Sequence, residues 1–73
     1  MHDHIENAKR LTAERLRAIA AEREAEAQSL HRFARGLNRW GLCKAEAEAC
    51  YQVRELRISA MLDRATAASL LVG

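Results

Sequence analysis

The sequence predicts an all-α protein: a two-helix antiparallel hairpin that dimerises into a four-helix bundle. The 73-residue chain has no proline, and its three glycines are confined to Gly36, Gly41 and Gly73. Most other positions hold residues that favour helix, chiefly Ala, Leu, Glu and Arg. We therefore expect a single domain over residues 1–73, with helix 1 at about 3–36, a hinge at about 36–43 and helix 2 at about 44–71.

The length of the chain favours a second subunit. A domain of 73 residues hides a small share of its surface, and alanine supplies much of the 49% hydrophobic content. Two helices of this predicted length are each roughly 40–50 Å long at 1.5 Å per residue. Because so thin a pair has little core of its own, we expect a homodimer.

Helix 1 is predicted to begin at Asp3, which can cap the free N–H groups together with Glu6 three residues later. Residues 20–27 are alanines and charged residues, so we expect one long helix with a weakly packed middle; two shorter helices are the alternative. The helix should end at Gly36 or Gly41, where glycine can adopt the left-handed C′ conformation. Its predicted core face comprises Ile5, Ala8, Thr12, Leu16, Ile19, Leu30, Phe33, Ala34 and Leu37, interrupted by Arg23 and Glu26.

Helix 2 carries two apolar stripes, and a hairpin can cover only one of them. A helix that is apolar on two sides is usually buried on two sides, which favours a second polypeptide; exposed alanines that need no cover are the alternative. The first stripe holds Leu42, Ala49, Val53, Leu56, Ala60, Ala67 and Leu71. The second holds Cys43, Ala47, Cys50, Ile58, Met61, Ala65, Ala68 and Val72.

The second stripe is the predicted partner-binding surface. Surfaces that mix methionine, tyrosine and aliphatic side chains are typical of protein interfaces. The residues that we expect to bind a protein partner are Tyr51, Ile58, Met61, Ala65 and Val72. The core of a homodimer is the other interpretation of the same residues.

A basic segment around the hinge suggests a different kind of contact. No acidic residue occurs from Ala27 to Ala45, and arginine forks suit phosphate or carboxylate groups. Cations near a helix C-terminus also complement the helix dipole, with Trp40 closing the core, and this is the structural interpretation of the segment. The candidate contacts with nucleic acid or an acidic partner are Arg32, Arg35, Arg39, Trp40 and Lys44.

The sequence contains no pattern typical of an enzyme, a metal site or a cofactor site. Cys43 and Cys50 are seven residues apart, about 10.5 Å along a helix, which is too far for an intrahelical disulfide and is no zinc spacing. We expect two small buried thiols in a reducing compartment, with an intersubunit disulfide only if the second stripe is a symmetric interface. No run of 18 apolar residues and no apolar leader occurs, so we expect a cytoplasmic protein without membrane contact.

The function that these patterns favour is a small non-enzymatic protein–protein interaction module. It would act as an adaptor, antiactivator or inhibitor of a larger protein, of the bacterial or phage regulator type, through the second stripe of helix 2. A nucleic-acid-binding regulator that uses the basic hairpin tip as a dimer is the first alternative. A purely structural oligomerisation module is the second.

Overall fold

Two helices make up the described part of the chain. In the computed structural model, which describes residues 2–72, helix α1 spans His2–Arg39 and helix α2 spans Cys43–Val72. The helices pack against each other along their length in a hairpin that measures 60 × 14 × 11 Å. The predicted all-α hairpin is confirmed, and α1 is continuous through residues 20–29. Asp3 lies inside the first turn of α1, where its charge complements the helix dipole, and does not precede the helix as its cap.

The end of α1 is set by Gly41, whereas Gly36 stays helical. Gly41 has a φ of +74°, which an L side chain adopts only with strain. The Gly41 amide donates to the Asn38 carbonyl at 3.0 Å, and the Leu42 amide donates to the Leu37 carbonyl at 3.1 Å. These two bonds form a Schellman motif, so the last carbonyls of α1 are satisfied and the chain reverses direction.

The helices meet along a row of alanines, which we call the alanine seam. In α1 the seam residues recur every seven positions, and each is at most 2% exposed. Because alanine ends at Cβ, two such rows let the helices approach closely. The seam comprises Ala13, Ala20, Ala27 and Ala34 in α1 and Ala49, Val53, Ala60 and Ala67 in α2.

Two ion pairs define the register of the hairpin. Arg23 bonds to Asp63 and Glu24 bonds to Arg64, so the numbers of paired residues add to 86 and 88. Residues whose numbers add to about 87 therefore lie level, which sets three of the four α1 seam alanines opposite a small α2 residue. In this register the level pairs are Ala20 with Ala67, Ala27 with Ala60, and Ala34 with Val53.

The predicted core face of helix 1 is largely wrong. Of its nine members only Ala34 is buried; Leu16, Leu30 and Leu37 are half-buried, and Phe33 is 61% exposed. The prediction followed the large apolar residues, but the alanine seam brings the helices too close for those side chains to fit between them. They lie instead along one side of the seam. The middle of α1, expected to be weakly packed, holds two of the most buried residues in the hairpin.

Helix α2 packs against α1 through its first apolar stripe, as predicted for one of its two stripes. Ala49, Val53, Ala60 and Ala67 are buried and Leu56 is half-buried. The ends of that stripe depart from the prediction, because Leu42 is 51% and Leu71 46% exposed. Within residues 2–72, neither helix combines the length and apolarity needed to cross a membrane.

Candidate interaction surfaces

Three surfaces of the hairpin carry the side chains that the alanine seam leaves outside. No large side chain is fully buried among the described residues, and twelve large apolar residues are exposed. Six of them belong to two of these surfaces, Trp40 and Leu42 lie at the turn, and the other four, Ile5, Leu11, Leu62 and Leu71, lie elsewhere on the helices. The third surface is basic.

The first surface, the outer stripe, lies along the exposed part of α2, and two of its members, Ile58 and Met61, also border a groove that His31 of α1 lines. It comprises Tyr51, Ile58, Met61, Ala65 and Val72, all exposed in the hairpin. Four of the five recur every seven residues, from Tyr51 through Ile58 and Ala65 to Val72. A seven-residue repeat forms a straight row along a supercoiled helix, so the outer stripe is a continuous row of exposed side chains.

The second surface, the leucine face, lies along one flank of the alanine seam and includes both helices. Its members are Leu16, Ile19, Leu30, Phe33 and Leu37 of α1 and Leu56 and Leu70 of α2. Phe33 and Leu30 line an open groove with Glu26 and Gln52, and Leu56 lines the next groove with the same two polar residues. This shared lining places Leu30, Phe33 and Leu56 on one side of the hairpin, and spacings of seven or fourteen residues put the other members in the same rows.

The third surface, the basic groove, lies on the opposite flank of the seam. His31, Arg35 and Arg39 of α1 line it near the turn, with Glu46 and Cys50 of α2. Further from the turn, His31 and Cys50 line an adjoining groove whose cations are Arg54 and Arg57. Sequence reasoning missed Arg54 and Arg57 because they belong to the other helix. The spacing of seven between Cys50 and Arg57 was the signal that could have placed Arg57 on this flank.

The predicted basic tip does not form one patch. Arg35 and Arg39 meet in the basic groove, whereas Lys44 precedes Tyr51 by seven residues and so lies in the row of the outer stripe. Arg32 precedes Arg39 by seven residues and so lies in the same row of α1, but it lines neither part of the basic groove. Trp40 stands at the turn with 82% of its surface exposed, so it does not close the core.

The ion pair between Glu24 and Arg64, on the same flank as the basic groove, shifts the pKa of Glu24. Arg64 donates from Nε and Nη2 to the two carboxylate oxygens of Glu24, at 2.8 and 3.1 Å. This bidentate bond, helped by the charge of Arg64, lowers the pKa of Glu24 below its usual value. Both side chains are about half exposed, so the pair contributes little to stability.

The thiols and carboxylates of the described residues do not converge. Cys43 is exposed and Cys50 half-buried, so the prediction of two buried thiols is wrong, because neither lies in the alanine seam. Both are free. In the part of the chain that the structure describes, no three His, Cys, Asp or Glu side chains form a group that could hold a metal ion.

The fold and its surfaces define an all-helical hairpin with uncovered apolar and basic sides. Comparison with protein-family models, curated proteins and solved structures found no match. The function must therefore be argued from the three surfaces.

Proposed function

We propose that this protein is a small non-enzymatic protein–protein interaction module of the cytoplasm. It acts as an adaptor, antiactivator or inhibitor of a larger protein, and its hairpins dimerise into a four-helix bundle. One observation carries the proposal: the hairpin buries seven alanines and a valine, while no leucine, isoleucine or aromatic residue within residues 2–72 is fully buried. Large apolar side chains in continuous rows are typical of surfaces that another polypeptide covers.

The outer stripe is the surface that we assign to the partner. Its exposed fractions are high for large apolar residues: 61% for Tyr51, 68% for Met61 and 84% for Val72. A row with a seven-residue repeat fits an amphipathic helix laid along α2, because such a helix presents apolar residues at the same spacing. The partner that we propose is therefore an amphipathic helix of a larger protein.

The charges that flank the outer stripe select the partner helix. Between Tyr51 and Ile58 the stripe has Arg54 on one side and Glu55 on the other. A partner helix with an acidic residue on the first side and a basic residue on the second is complementary in charge to the stripe. Rim charges of this kind contribute more to specificity and association rate than to affinity.

Affinity capture from a host lysate tests the proposal with matched variants. Ile58→Glu places a charge in the middle of the outer stripe, and we expect it to abolish recovery of a stoichiometric protein partner. Leu11→Glu is the control, because Leu11 is 60% exposed on α1, away from the stripe. Circular dichroism verifies that both variants remain helical. Recovery of the same partner by Ile58→Glu would contradict the proposal.

A second candidate function is nucleic-acid binding, and the basic groove is the observation that favours it. Arg35, Arg39, Arg54 and Arg57 approach one another there from two helices, and a dimer doubles their number. Eight cations lie in the range of about 6–10 phosphate contacts that DNA-binding proteins make. If this function is correct, affinity for an oligonucleotide falls steeply with salt, and Arg54→Ala weakens binding to all sequences alike. Binding that does not respond to salt excludes it.

A purely structural oligomerisation module is the third candidate. It requires that self-association cover all of the apolar surface, the outer stripe included. A fluorescent dye that reports exposed apolar patches distinguishes it from an interaction module. The fluorescence of the dye stays low for a purely structural oligomer and rises for a dimer whose outer stripe is exposed.

A further inference from the structure

The order of apolar and charged residues along the leucine face suits pairing with a second copy of the same chain. Along α1 its row continues from Leu16 and Ile19, through the charged residues Arg23 and Glu26, to Leu30 and Phe33. The apolar residues thus flank one cation and one anion symmetrically. Phe33 is 61% and Ile19 40% exposed, so these side chains have no sufficient cover within the hairpin.

We propose that two copies of this chain pair through their leucine faces, with the α1 helices antiparallel about a two-fold axis between Arg23 and Glu26. This inference rests on the proposed function in that it names the surface on which the four-helix bundle forms. An axis at this level sets Leu16 opposite Phe33, Ile19 opposite Leu30, and Arg23 opposite Glu26, because the numbers of each pair add to 49. The face is self-complementary, as an isologous interface must be.

The ionic layer at the centre gives the interface its charge complementarity. Arg23 uses Nη1 to bond Asp63, but its side chain remains 40% exposed and its guanidinium has further N–H donors. Glu26 lies three residues further along the helix, about 4.5 Å in rise. In the two-fold arrangement each Glu26 meets the Arg23 of the other copy, which has N–H donors beyond the one that bonds Asp63.

The size of the face matches the area that a specific dimer needs. A hairpin 60 Å long and 14 Å wide presents a broad side of about the 800 Å² that each partner buries in a standard interface. The opposite broad side contains the basic groove, where two copies would place like charges together. The outer stripe lies on one helix alone and is narrower. The leucine face is therefore the side best suited to a second copy.

Light scattering after size exclusion tests the proposal on the full chain. We expect the wild type to have the mass of two chains, and Phe33→Asp to have the mass of one. Glu26→Arg places like charges opposite each other and should raise the dissociation constant at least tenfold. Met61→Glu, a charge on the outer stripe, is the matched control and should leave the dimer intact. A monomeric wild type, or a dimer broken by Met61→Glu and not by Phe33→Asp, overturns the proposal.

Cysteine cross-linking tests the register without a disruptive charge. In a chain with both native cysteines changed to serine, Ile19→Cys with Leu30→Cys should form a disulfide between copies on oxidation. Within one copy these positions are eleven residues apart on a continuous helix, too far to bond. Leu11→Cys with Ala25→Cys, on the outer side of α1, should remain uncrosslinked. A chain with Ile19→Cys and Leu30→Cys that stays uncrosslinked, or crosslinks no faster than this control, overturns the proposed axis.

Failure of this inference and failure of the proposed function are distinguishable. Partner capture depends on the outer stripe, so Ile58→Glu reports on it whatever the oligomeric state. If Phe33→Asp leaves the dimer intact while Ile58→Glu still abolishes capture, the leucine face is excluded and the interaction module stands. If Phe33→Asp gives a monomer and Ile58→Glu retains capture, the dimer face stands and the assignment of the partner is wrong.

Discussion

Arg23 donates from Nη1 to Asp63 Oδ2 at 2.5 Å, joining α1 to α2 across forty residues of sequence. The two side chains are 40% and 19% exposed, and they lie level between the leucine pairs Leu16–Leu70 and Leu30–Leu56. Sliding one helix by seven residues would set each charge opposite a leucine. The alanine seam alone would tolerate such a slip, so this ion pair specifies the register of the hairpin.

Replacing one partner of this pair should cost more than replacing both. We expect Asp63→Leu alone to lower the free energy of unfolding by about 1 kcal/mol, because it leaves the guanidinium of Arg23 against an apolar row. Adding Arg23→Leu should recover most of the lost free energy of unfolding, since a leucine at position 23 extends the apolar row between Leu16 and Leu30. Urea unfolding at one fixed protein concentration measures the free energy of unfolding of the single and the double variant. A double variant as unstable as the single one would show that the pair itself carries the stability.

The alanine seam should not accept a larger side chain. Ala27 is 1% exposed and lies level with Ala60, so Ala27→Leu forces the helices apart and should lower the free energy of unfolding by about 1–3 kcal/mol. Ala25→Leu is the control, because Ala25 is exposed on the same helix, and it should change stability by less than about 0.5 kcal/mol. Thermal denaturation of the two variants checks the difference. Equal effects would mean that the seam is not closely packed.

The two mid-chain glycines should respond to alanine in opposite directions. Gly36 is helical and a Cβ there meets nothing within 4 Å, so Gly36→Ala should raise the free energy of unfolding by about 0.5–1 kcal/mol. Gly41 has a φ of +74°, so Gly41→Ala should lower it by about 1 kcal/mol although space is open there too. Each variant is the control for the other, because both lie near the turn. Destabilisation by Gly36→Ala would indicate a close approach by another chain.

Acid should weaken the hairpin in part through Glu24. The bond from Arg64 lowers the pKa of Glu24 in the folded state, so its contribution is complete above the pKa of the unfolded chain and is lost as the pH falls through the folded value. With an unfolded pKa of about 4.3, the loss occurs below about pH 4. Because the pair is half exposed, Glu24→Gln should reduce the slope of the free energy of unfolding against pH in this acid range only slightly. Glu14→Gln replaces an exposed glutamate outside both cross-helix ion pairs, so it should leave the acid dependence of the free energy of unfolding unchanged.

Several features of the hairpin were visible in the sequence because they depend on local backbone chemistry. The absence of proline and the position of Gly41 predicted two long helices and the turn that joins them. The uncovered outer stripe also followed from periodicity, since Tyr51 and Ile58 lie on a side of helix 2 that a hairpin cannot cover. The seven-residue spacing of Ala13, Ala20 and Ala27 is equally visible in the sequence, but the larger apolar residues form the stronger helical pattern.

The sequence by itself determined that the chain is helical, where it turns, and that its apolar surface exceeds what one hairpin covers. Only the tertiary structure decided which residues meet. The close approach of the alanine rows moved Leu30 and Phe33 from the expected core to one flank, and brought Arg54 and Arg57 beside Arg35 and Arg39 on the other. Helical periodicity orders the residues around one helix, but the distance and register between two helices depend on which side chains are small enough to lie between them.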